Sequence, residues 1–233
     1  MKLLTVIPTY NECENIEPLI LKILDIVKGN ISILVVDDSS PDGTSFIVEK
    51  LSKKYNNVHL LIRPAKSGLA SAYIEGFQWG IDNGFDTFLE MDADFSHNPD
   101  YIPEMIEKIQ NHDVVIGSRI VKGGGCKNRT FLRDVITRGG SFYSRLILGC
   151  PVKDLTGGFN MWTLAALEKI NLNSILSKGY CFQIEMKYKA FKSRCKIVEI
   201  PIIFEDRRAG KSKMSSEIFL EAMFGIFKIR SSK

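Results

Sequence analysis

The chain has 233 residues, of which 45% are hydrophobic and 25% are charged, which is ordinary for a globular α/β protein. Its five cysteines are scattered and form no Cys-x-x-Cys pair, which argues against a disulfide scaffold or a zinc site and fits a reducing cytosol. The sequence does not open with a basic segment followed by a long apolar one, and it has no run of about 20 apolar residues, so it predicts no transmembrane helix.

The net charge of +4 hides a division between the two halves of the chain. Residues 1–118 carry 9 Lys and Arg against 18 Asp and Glu, a net charge of −9, whereas residues 119–233 carry 22 against 9, a net charge of +13. A basic half favours anionic partners such as nucleic acid, anionic lipid or phosphate. The acidic half argues against a simple nucleic-acid-binding or membrane-binding module, because such a module has no use for clustered carboxylates.

Apolar segments alternate with helix-like segments over the first 120 residues. The predicted strands are 3–7, 31–36, 58–62, 87–91 and 114–116, and the predicted helices are 15–27, 44–55, 69–83 and 99–110. This alternation predicts right-handed crossovers and an α/β fold with a mainly parallel sheet and helices on both faces. In such sheets ligands bind outside the carboxyl ends of the strands, so the residues that follow each strand are the candidates for a site.

Four of these strand ends carry polar motifs. They are Pro8-Thr9-Tyr10-Asn11-Glu12, Asp37-Asp38-Ser39-Ser40-Pro41-Asp42-Gly43, Asp92-Ala93-Asp94 and Gly117-Ser118-Arg119. None contains Gly-x-Gly-x-x-Gly, so a dinucleotide-dependent enzyme is disfavoured. Gly210-Lys211-Ser212 matches the end of a P-loop, but Glu205 stands where the first glycine of that motif must be.

The two carboxylates of Asp92 and Asp94 are the strongest candidates for a metal site. They close an apolar run that predicts a buried strand, in which residues two apart share a face, so both carboxylates are predicted to point the same way. Two anions that close repel each other unless a cation or several donors lie between them, and Mg²⁺ takes such oxygen ligands together with substrate phosphates. The alternative is a plain strand-to-helix turn, because Asn98 and Pro99 suit the start of a helix.

The basic half contains two segments that predict amphipathic helices, 129–150 and 217–229. Both combine basic residues with large apolar ones, and neither is long and apolar enough to span a bilayer. Each is either a core helix packed on the sheet or a helix lying on a membrane surface, and the presence of two in one half favours the membrane.

Taken together, the motifs resemble those of the family 2 glycosyltransferases, in particular the polyprenol-phosphate (dolichol-phosphate) mannose synthases. The resemblance covers nearly the whole chain. Besides the four strand-end motifs it is carried by Asp154-Leu155-Thr156-Gly157-Gly158-Phe159, Gln183-Ile184-Glu185-Met186 and Arg207-Arg208-Ala209-Gly210-Lys211-Ser212-Lys213. It implies a Rossmann-like glycosyltransferase A-type fold in a single domain, 1–233, with a nucleotide-sugar-binding half at 1–120 and an acceptor-binding and membrane-facing half at 121–233.

The resemblance also implies roles for individual residues. Asp92 and Asp94 would hold Mg²⁺ or Mn²⁺ against the donor diphosphate and are the catalytic pair, and the donor-binding residues would be Pro8, Tyr10, Glu12, Val36, Asp38, Ala93, Arg119, Arg207 and Lys213. Phosphate of the acceptor would bind Arg119, Arg138, Arg207 and Lys213, whose side chains suit phosphate oxygens. Gln183 and Glu185 would lie near the sugar.

The implied reaction is an inverting transfer of a hexose, mannose from GDP-mannose, to a polyprenyl phosphate. A phosphate monoester has a second pKa of about 6 and is largely dianionic at neutral pH, so it can attack the anomeric carbon without a dedicated base. The alternatives are a UDP-glucose-dependent polyprenyl-phosphate glucosyltransferase, another family 2 glycosyltransferase, and a non-catalytic basic module. The implied location is the cytoplasmic face of a membrane, reached through the amphipathic segments or a separate membrane-anchoring subunit.

Overall fold

The computed structural model describes residues 1–28, 31–128, 131–177, 179, 181–205 and 225–231, with the backbone alone described for 131–134. The strands are β1 Leu3–Thr9, β2 Ile31–Asp37, β3 Val58–Ile62, β4 Thr87–Glu90, β5 Val114–Ser118, β6 Gly125–Lys127, β7 Asn160–Thr163, β8 Ile197–Pro201 and β9 Ile203–Glu205. The helices are α1 Ile16–Ile26, α2 Thr44–Lys54, α3 Leu69–Asp82, α4 Ile102–Ile109, α5 Phe131–Leu148, α6 Leu164–Ile170 and α7 Cys181–Lys192, with 3-10 turns at Pro99–Tyr101 and Leu172–Ser174.

Seven of the strands form one sheet in the order β3-β2-β1-β4-β7-β5-β8, and β6 pairs with β9 separately. The predicted, mainly parallel sheet is confirmed. Its one departure is β7, which runs antiparallel between β4 and β5, with Asn160 paired to Glu90 on one side and to Ile116 on the other. The loop that leads into β7 therefore lies at the edge where the parallel strands β4 and β5 end.

Apolar clusters cover both faces of the sheet, because side chains alternate between faces along each strand. In β1, Leu4 and Val6 belong to one cluster while Leu3 and Ile7 belong to the other. Strands buried on both faces have the nearly continuous apolar sequence that the first half of the chain shows. This double burial holds the strand ends rigidly in register.

Helix α3 lies unusually close to the sheet. A Cβ atom at Gly80 would stand 2.6 Å from both Leu4 Cδ2 and Phe88 Cε1, and one at Gly76 would collide with Val6. The two glycines therefore allow the helix backbone to approach β1 and β4. This close packing buries Tyr73, one turn before Gly76, completely.

The first four predicted helices and the first five predicted strands match the structure to within one or two residues at each end, once the 3-10 turn at 99–101 is joined to α4. The predicted helix 129–150 corresponds to α5. Of the predicted helix 217–229, residues 217–224 lie outside the described part, and 225–231 are helical. There Ile226 and Ile229 are buried in the core while Phe227 is 53% exposed. Within the described residues, no helix has the length and apolar character needed to cross a membrane.

Candidate active site

The ends of three adjacent parallel strands bring most of the predicted donor-binding residues together. β1 lies between β2 and β4, and its register places Pro8 beside Val36 and Thr9 beside Asp37. The backbone N–H of Asp38 donates to the carbonyl of Thr9 at 3.1 Å, which fixes the two strand ends against each other. The segments that follow β1 and β2 thus form one continuous edge beside the segment that follows β4.

Each of these three segments turns through left-handed backbone at a residue that is not glycine. The φ angles are 62° at Asn11, 53° at Ser39 and 62° at Phe95. Such conformations cost on the order of 1–3 kcal/mol each and cluster at ligand-binding sites, where surrounding contacts hold them. Here one such contact is the bond from the N–H of Asn11 to Ser40 Oγ, at 3.0 Å.

Tyr10 and Glu12, which follow β1, are held in place by their neighbours. The Lys66 ammonium lies 4.1 Å from the centre of the Tyr10 ring. The N–H of Glu12 donates to Thr44 Oγ1 at 3.0 Å, and its carboxylate accepts a bond from Asn15 at 2.9 Å. An aromatic ring fixed at this edge offers a stacking surface for a planar group such as a nucleobase.

Asp38, which follows β2, forms a buried ion pair with Arg63. Arg63 Nε lies 2.8 Å from Asp38 Oδ1, and the two side chains are only 2% and 8% exposed. Burial raises the pKa of the Asp38 carboxyl, and the Arg63 guanidinium offsets part of that rise. The position suits the predicted role of an acceptor for the N–H groups of a base.

The Asp-x-Asp motif does not lie on the strand. β4 ends at Glu90, so Asp92, Ala93 and Asp94 follow it in a turn, and the expectation that strand alternation sets their common direction was wrong. The alternative reading as a strand-to-helix turn describes the backbone correctly: Asn98 Oδ1 accepts the N–H of Asp100 at 3.1 Å and caps the 3-10 turn. A turn of this kind still places two carboxylates at the sheet edge.

Asp92 is accessible to solvent, and two buried side chains, those of Tyr73 and His97, hold it in place. Its side chain is 35% exposed, and Tyr73 Oη lies 3.4 Å from its Oδ1. The N–H of Asp92 donates to His97 Nδ1 at 3.1 Å, so the imidazole is the tautomer with its proton on Nε2, which lies 4.0 Å from Asp92 Oδ2. Burial raises the pKa of Tyr73 well above its usual value, and the neighbouring negative charges of Asp92 and Glu90 raise it further.

Asp94 lies deeper and is paired with Ser96. Asp94 is 3% exposed, and its Oδ1 accepts the N–H of Ser96 at 3.1 Å. The hydroxyl of Ser96 is buried and has no hydrogen-bond partner among the described residues. A buried oxygen without a protein partner is unusual, and a bound cation or water would satisfy it.

These oxygens fit a hard divalent cation. The described residues contain no cluster of three or more His, Cys, Asp or Glu side chains arranged around a metal. Mg²⁺ and Mn²⁺ are commonly held by one or two carboxylates, with waters and substrate phosphates completing the shell. Asp92 and Asp94 supply two such carboxylates, and the Ser96 hydroxyl is an unpartnered oxygen in the same turn.

Arg119 lies at the end of β5 and is bound to Asp154. Its Nε and Nη2 donate to the two carboxylate oxygens of Asp154 at 2.8 and 2.7 Å, its N–H donates to the same group at 2.9 Å, and Nη2 also reaches Thr156 at 2.8 Å. Although burial alone would favour the neutral acid, Arg119 holds the pKa of Asp154 well below its usual range. The structure thus places Arg119 in a buried ion pair, and its predicted contact with phosphate stays a prediction.

The other predicted phosphate-binding residues are placed only in part. Arg138 lies on α5 and is exposed. On the same helix Val135, Phe142 and Leu146 are 46%, 64% and 73% exposed. Arg207 and Lys213 lie outside the described residues, so the predicted acceptor-phosphate cluster stays a prediction.

Of the two predicted sugar-binding residues, only Gln183 lies among the residues around the site. Gln183 is 4% exposed, and its Oε1 accepts a bond from Asn160 at 2.9 Å. Glu185 instead contacts the segment that precedes α7, where it accepts the N–H of Ser177 at 2.8 Å, and it pairs with Lys189 on the same helix at 3.1 Å. That geometry makes Glu185 a support of the 176–177 segment, and its predicted sugar contact is untested.

Sequence reasoning missed a set of buried polar residues behind the site. Glu90 is fully buried, and Asn160 donates to its carboxylate at 2.7 Å. Burial raises the pKa of Glu90 to about 7, although the bond from Asn160 and the charge of Lys187 act the other way. The available signal was a charged residue in an otherwise apolar strand, since charged side chains are rarely buried without partners.

Comparisons with known proteins agree with these observations. The sequence model of the family described as Glycosyl transferase family 2 matches residues 5–170. The chain is similar to an undecaprenyl-phosphate mannosyltransferase of Micrococcus luteus, with 42% identity over 97% of this chain and 93% of that protein. It is also similar to a polyprenol monophosphomannose synthase of Mycolicibacterium smegmatis, with 41% identity over 96% of this chain and 84% of that protein. A dolichol-phosphate mannosyltransferase of Pyrococcus furiosus is 39% identical, over 98% of this chain and 64% of that protein.

Among solved structures, glucosyl-3-phosphoglycerate synthase from Mycobacterium tuberculosis in complex with UDP superposes on the whole chain and on 81% of its own, with a TM-score of 0.70 and 16% identity. Another structure of that synthase, with Mn²⁺, UDP and glucosyl-3-phosphoglycerate, has a TM-score of 0.67 over 98% of this chain and 78% of its own, again at 16% identity. At this identity the likeness concerns the fold, and it confirms the predicted glycosyltransferase A-type architecture.

Proposed function

The chain belongs to glycosyltransferase family 2, and from this premise we propose that it transfers a mannosyl group from GDP-mannose to a polyprenyl phosphate, with inversion at the anomeric carbon. The observation that carries the proposal is the convergence of Tyr10, Asp38 and the Asp92–Asp94 turn at the ends of three adjacent strands. Relatives about 40% identical over nearly the whole chain, with names that specify mannosyl transfer to a lipid phosphate, support the choice of sugar and acceptor.

The donor would lie along this edge of the sheet. Its base would stack near Tyr10 and donate N–H groups to Asp38, and its diphosphate would extend toward Asp92 and Asp94. A Mg²⁺ or Mn²⁺ ion held by Asp92, Asp94 and the Ser96 hydroxyl would neutralise the charge that develops on the leaving diphosphate. His97 and Tyr73 keep Asp92 oriented, so that its carboxylate does not have to reorganise during the reaction.

The acceptor needs positioning more than activation. A polyprenyl phosphate is largely dianionic at neutral pH and supplies its own nucleophilic oxygen, so the reaction needs no general base. The difficulty is to bring two anionic reactants together, which calls for cations on the acceptor side. We propose that Arg138 on α5, Arg207 and Lys213 bind the acceptor phosphate.

The function is tested by incubating the protein with Mn²⁺, undecaprenyl phosphate and, in separate reactions, GDP-mannose, UDP-glucose or UDP-galactose. We expect a β-linked mannosyl phospholipid from GDP-mannose alone, and no product with EDTA or with the free alcohol undecaprenol. A glucosyl lipid formed from UDP-glucose alone would replace the mannosyl assignment with the glucosyl one. Absence of any lipid-linked sugar from every donor would refute the proposal.

The lipid acceptor requires the enzyme to reach a membrane, and α5 is the surface proposed to do so. Val135, Phe142 and Leu146 project from one stripe of this helix and are exposed, with Arg138 on the same helix. Large apolar side chains beside a basic one suit the boundary between anionic headgroups and acyl chains. This arrangement supports peripheral attachment to a membrane, directly or with the help of a membrane-anchoring subunit, and the cytoplasmic face is the side we propose.

Membrane attachment is tested by co-sedimentation with vesicles that contain anionic lipid. Replacing both Phe142 and Leu146 by Ser should reduce the bound fraction several-fold, because each large apolar side chain contributes roughly 1.5–3 kcal/mol when it is buried. The matched control is Phe46→Ser, since Phe46 is 59% exposed on a different helix, α2. Equal binding of all three proteins would exclude α5 as the attachment surface.

A further inference from the structure

Lys187 on α7 is a fully buried cation. Its Nζ donates to the carbonyl oxygen of Gly157 at 2.6 Å and to that of Asp154 at 2.9 Å, with the carbonyl of Leu155 at 3.5 Å. All three acceptors belong to the loop that enters β7. No comparison assigns this lysine a role, and the reaction proposed above does not use it.

Burying an ammonium group is costly unless its surroundings compensate the charge. Among the described residues, no carboxylate lies within 4.0 Å of Lys187 Nζ, so its partners are backbone dipoles and the more distant charges of Asp154 and Glu90. Burial accordingly lowers its pKa to about 8, against the opposing effect of those two carboxylates. A leucine or methionine would fill the space without this cost, so the lysine must contribute something that an apolar side chain does not.

What it contributes is a fixed position for the carbonyl of Gly157. This oxygen also accepts a bond from Asn160 Nδ2 at 3.2 Å, and Asn160 in turn donates to Glu90 Oε2 at 2.7 Å. On the outer side of the loop, the N–H of Gly157 donates to Asp154 Oδ1 at 3.0 Å. Both polar groups of the Gly157 backbone are therefore held by buried partners.

The same loop reaches the turn that carries Asp92 through Phe159, two residues after Gly157. The Phe159 ring stacks on the His97 imidazole, with ring centres 5.0 Å apart and planes 11° apart. Gly158 lies nearby and leaves room, since a Cβ atom built on it would be at ordinary contact distance, 3.5 Å, from His97 Cε1. His97 in turn accepts the N–H of Asp92, so one aromatic ring links the loop to Asp92.

We propose that Lys187 is a positioning residue for the donor site: by holding the carbonyls of Asp154 and Gly157, it fixes the loop that stacks Phe159 on His97 and thereby fixes Asp92 for metal and diphosphate binding. The inference rests on the proposed function, because it assigns Asp92 to the metal. Residues that orient a metal ligand from behind typically change metal affinity or activity by about 10- to 100-fold when they are replaced.

The test is Lys187→Met, which fills the same space without donors or charge. We expect the Mn²⁺ concentration needed for half-maximal activity, and the dissociation constant of GDP measured calorimetrically with Mn²⁺, each to rise about 10-fold or more. Lys192→Met on the same helix controls for loss of a lysine at an exposed position. Leu167→Ala, which removes a buried side chain of α6, controls for lower stability and should leave both constants unchanged.

Each outcome has a separate meaning. If the wild-type protein binds Mn²⁺ with GDP and Lys187→Met binds them equally well, the positioning role is refuted while the proposed function stands. If wild type itself neither binds Mn²⁺ with GDP nor forms a lipid-linked sugar, the proposed function fails first. Should Lys187→Met not fold, Lys187→Gln, which keeps N–H donors without the charge, takes its place under the same criterion.

Discussion

Asp92 follows β4 and Arg119 follows β5, on either side of β7, yet charge is arranged differently in these two corners of one sheet edge. The Asp92 side chain is 35% exposed and is held from behind by a phenol and an imidazole. In the Arg119 corner, the Asp154 side chain is 0% exposed and accepts a two-pronged bond from the guanidinium. The first corner keeps a carboxylate accessible to a ligand, whereas the second uses its charges to hold a loop.

The comparison matters because sequence motifs do not separate the two uses. Both corners contain a charged residue next to a strand end, and both were predicted to bind phosphate or the metal that carries it. What distinguishes them is whether the polar atoms are committed to other protein groups, which depends on residues far away in the chain. Substitutions at the Asp92 turn and at the Arg119–Asp154 pair should therefore have different effects: the first on activity, the second on stability.

The largest effect is expected from Arg119→Met. This change leaves the Asp154 carboxylate buried without its main partner, and breaking a buried ion pair from one side costs about 3–5 kcal/mol. The free energy of unfolding, measured by urea titration, should fall by that amount. Adding Asp154→Asn should recover a large part of it, since the uncompensated charge is then gone.

The same pair of variants shows whether Arg119 also binds phosphate. If its work is confined to Asp154, the double variant should keep a KM for polyprenyl phosphate close to that of the Asp154→Asn single variant. A KM for polyprenyl phosphate raised 10-fold or more in the double variant alone would show that Arg119 binds phosphate as well as Asp154. Arg119 would then serve a ligand, as Asp92 is proposed to do.

Asp92→Asn should affect activity without affecting the fold. The substitution keeps the shape of the side chain and removes its charge, so kcat should fall by roughly 10²–10³-fold, as it does when one electrostatic contact to a developing charge is lost. Since Asp92 is partly exposed, the melting temperature should stay within a few degrees of wild type. Asp100→Asn, a change at an exposed carboxylate near the same turn, is the control and should retain activity.

The sequence predicted which strand ends meet at this edge of the sheet because the edge is built from local signals, whereas the binding of a donor there stays a prediction. Strand ends, turn residues and the Asp-x-Asp spacing are all read within ten residues or so, and parallel pairing then brings the ends together. The helix-capping residues after Asp-x-Asp correctly predicted that the motif lies in a strand-to-helix turn, since Asn98 caps the 3-10 turn.

The second corner could not be predicted, because its contacts join distant segments. β7 is only four residues long, and its insertion between β4 and β5 brings Asn160 to Glu90, 70 positions earlier in the chain. Arg119 and Asp154 are 35 positions apart. A short strand without a clear period gives no sign of which strands it joins, so the partners of Glu90 and Lys187 become visible only in the structure.

The dependence of stability on pH provides a smaller effect, centred on Lys187. Because its pKa in the folded protein is lowered to about 8 from 10.5, the unfolded chain binds more protons between these two values. Relative to Lys187→Met, wild type should therefore become more stable as the pH rises through this interval, by at most about 1.4 kcal/mol per pH unit. Urea titrations at pH 7, 8, 9 and 10 measure the difference. Parallel curves for the two proteins would mean that Lys187 has an ordinary pKa and that burial does not penalise its charge.

The smallest effects are expected from removing a single hydroxyl, that of Thr156 beside Arg119 or that of Ser96 beside Asp94. Thr156 Oγ1 accepts a bond from Arg119 at 2.8 Å, so Thr156→Ala should lower stability by about 1 kcal/mol and leave the metal requirement unchanged. The hydroxyl of Ser96 is buried and has no partner among the described residues, so Ser96→Ala should be neutral or slightly stabilising in metal-free protein. With Mn²⁺ present, Ser96→Ala should be the more strongly affected variant, because it alone removes an oxygen available to the cation. The rise in melting temperature produced by Mn²⁺ with GDP should therefore be smaller in Ser96→Ala than in wild type. A full thermal shift in Ser96→Ala would limit the metal-binding oxygens of this corner to those of Asp92 and Asp94.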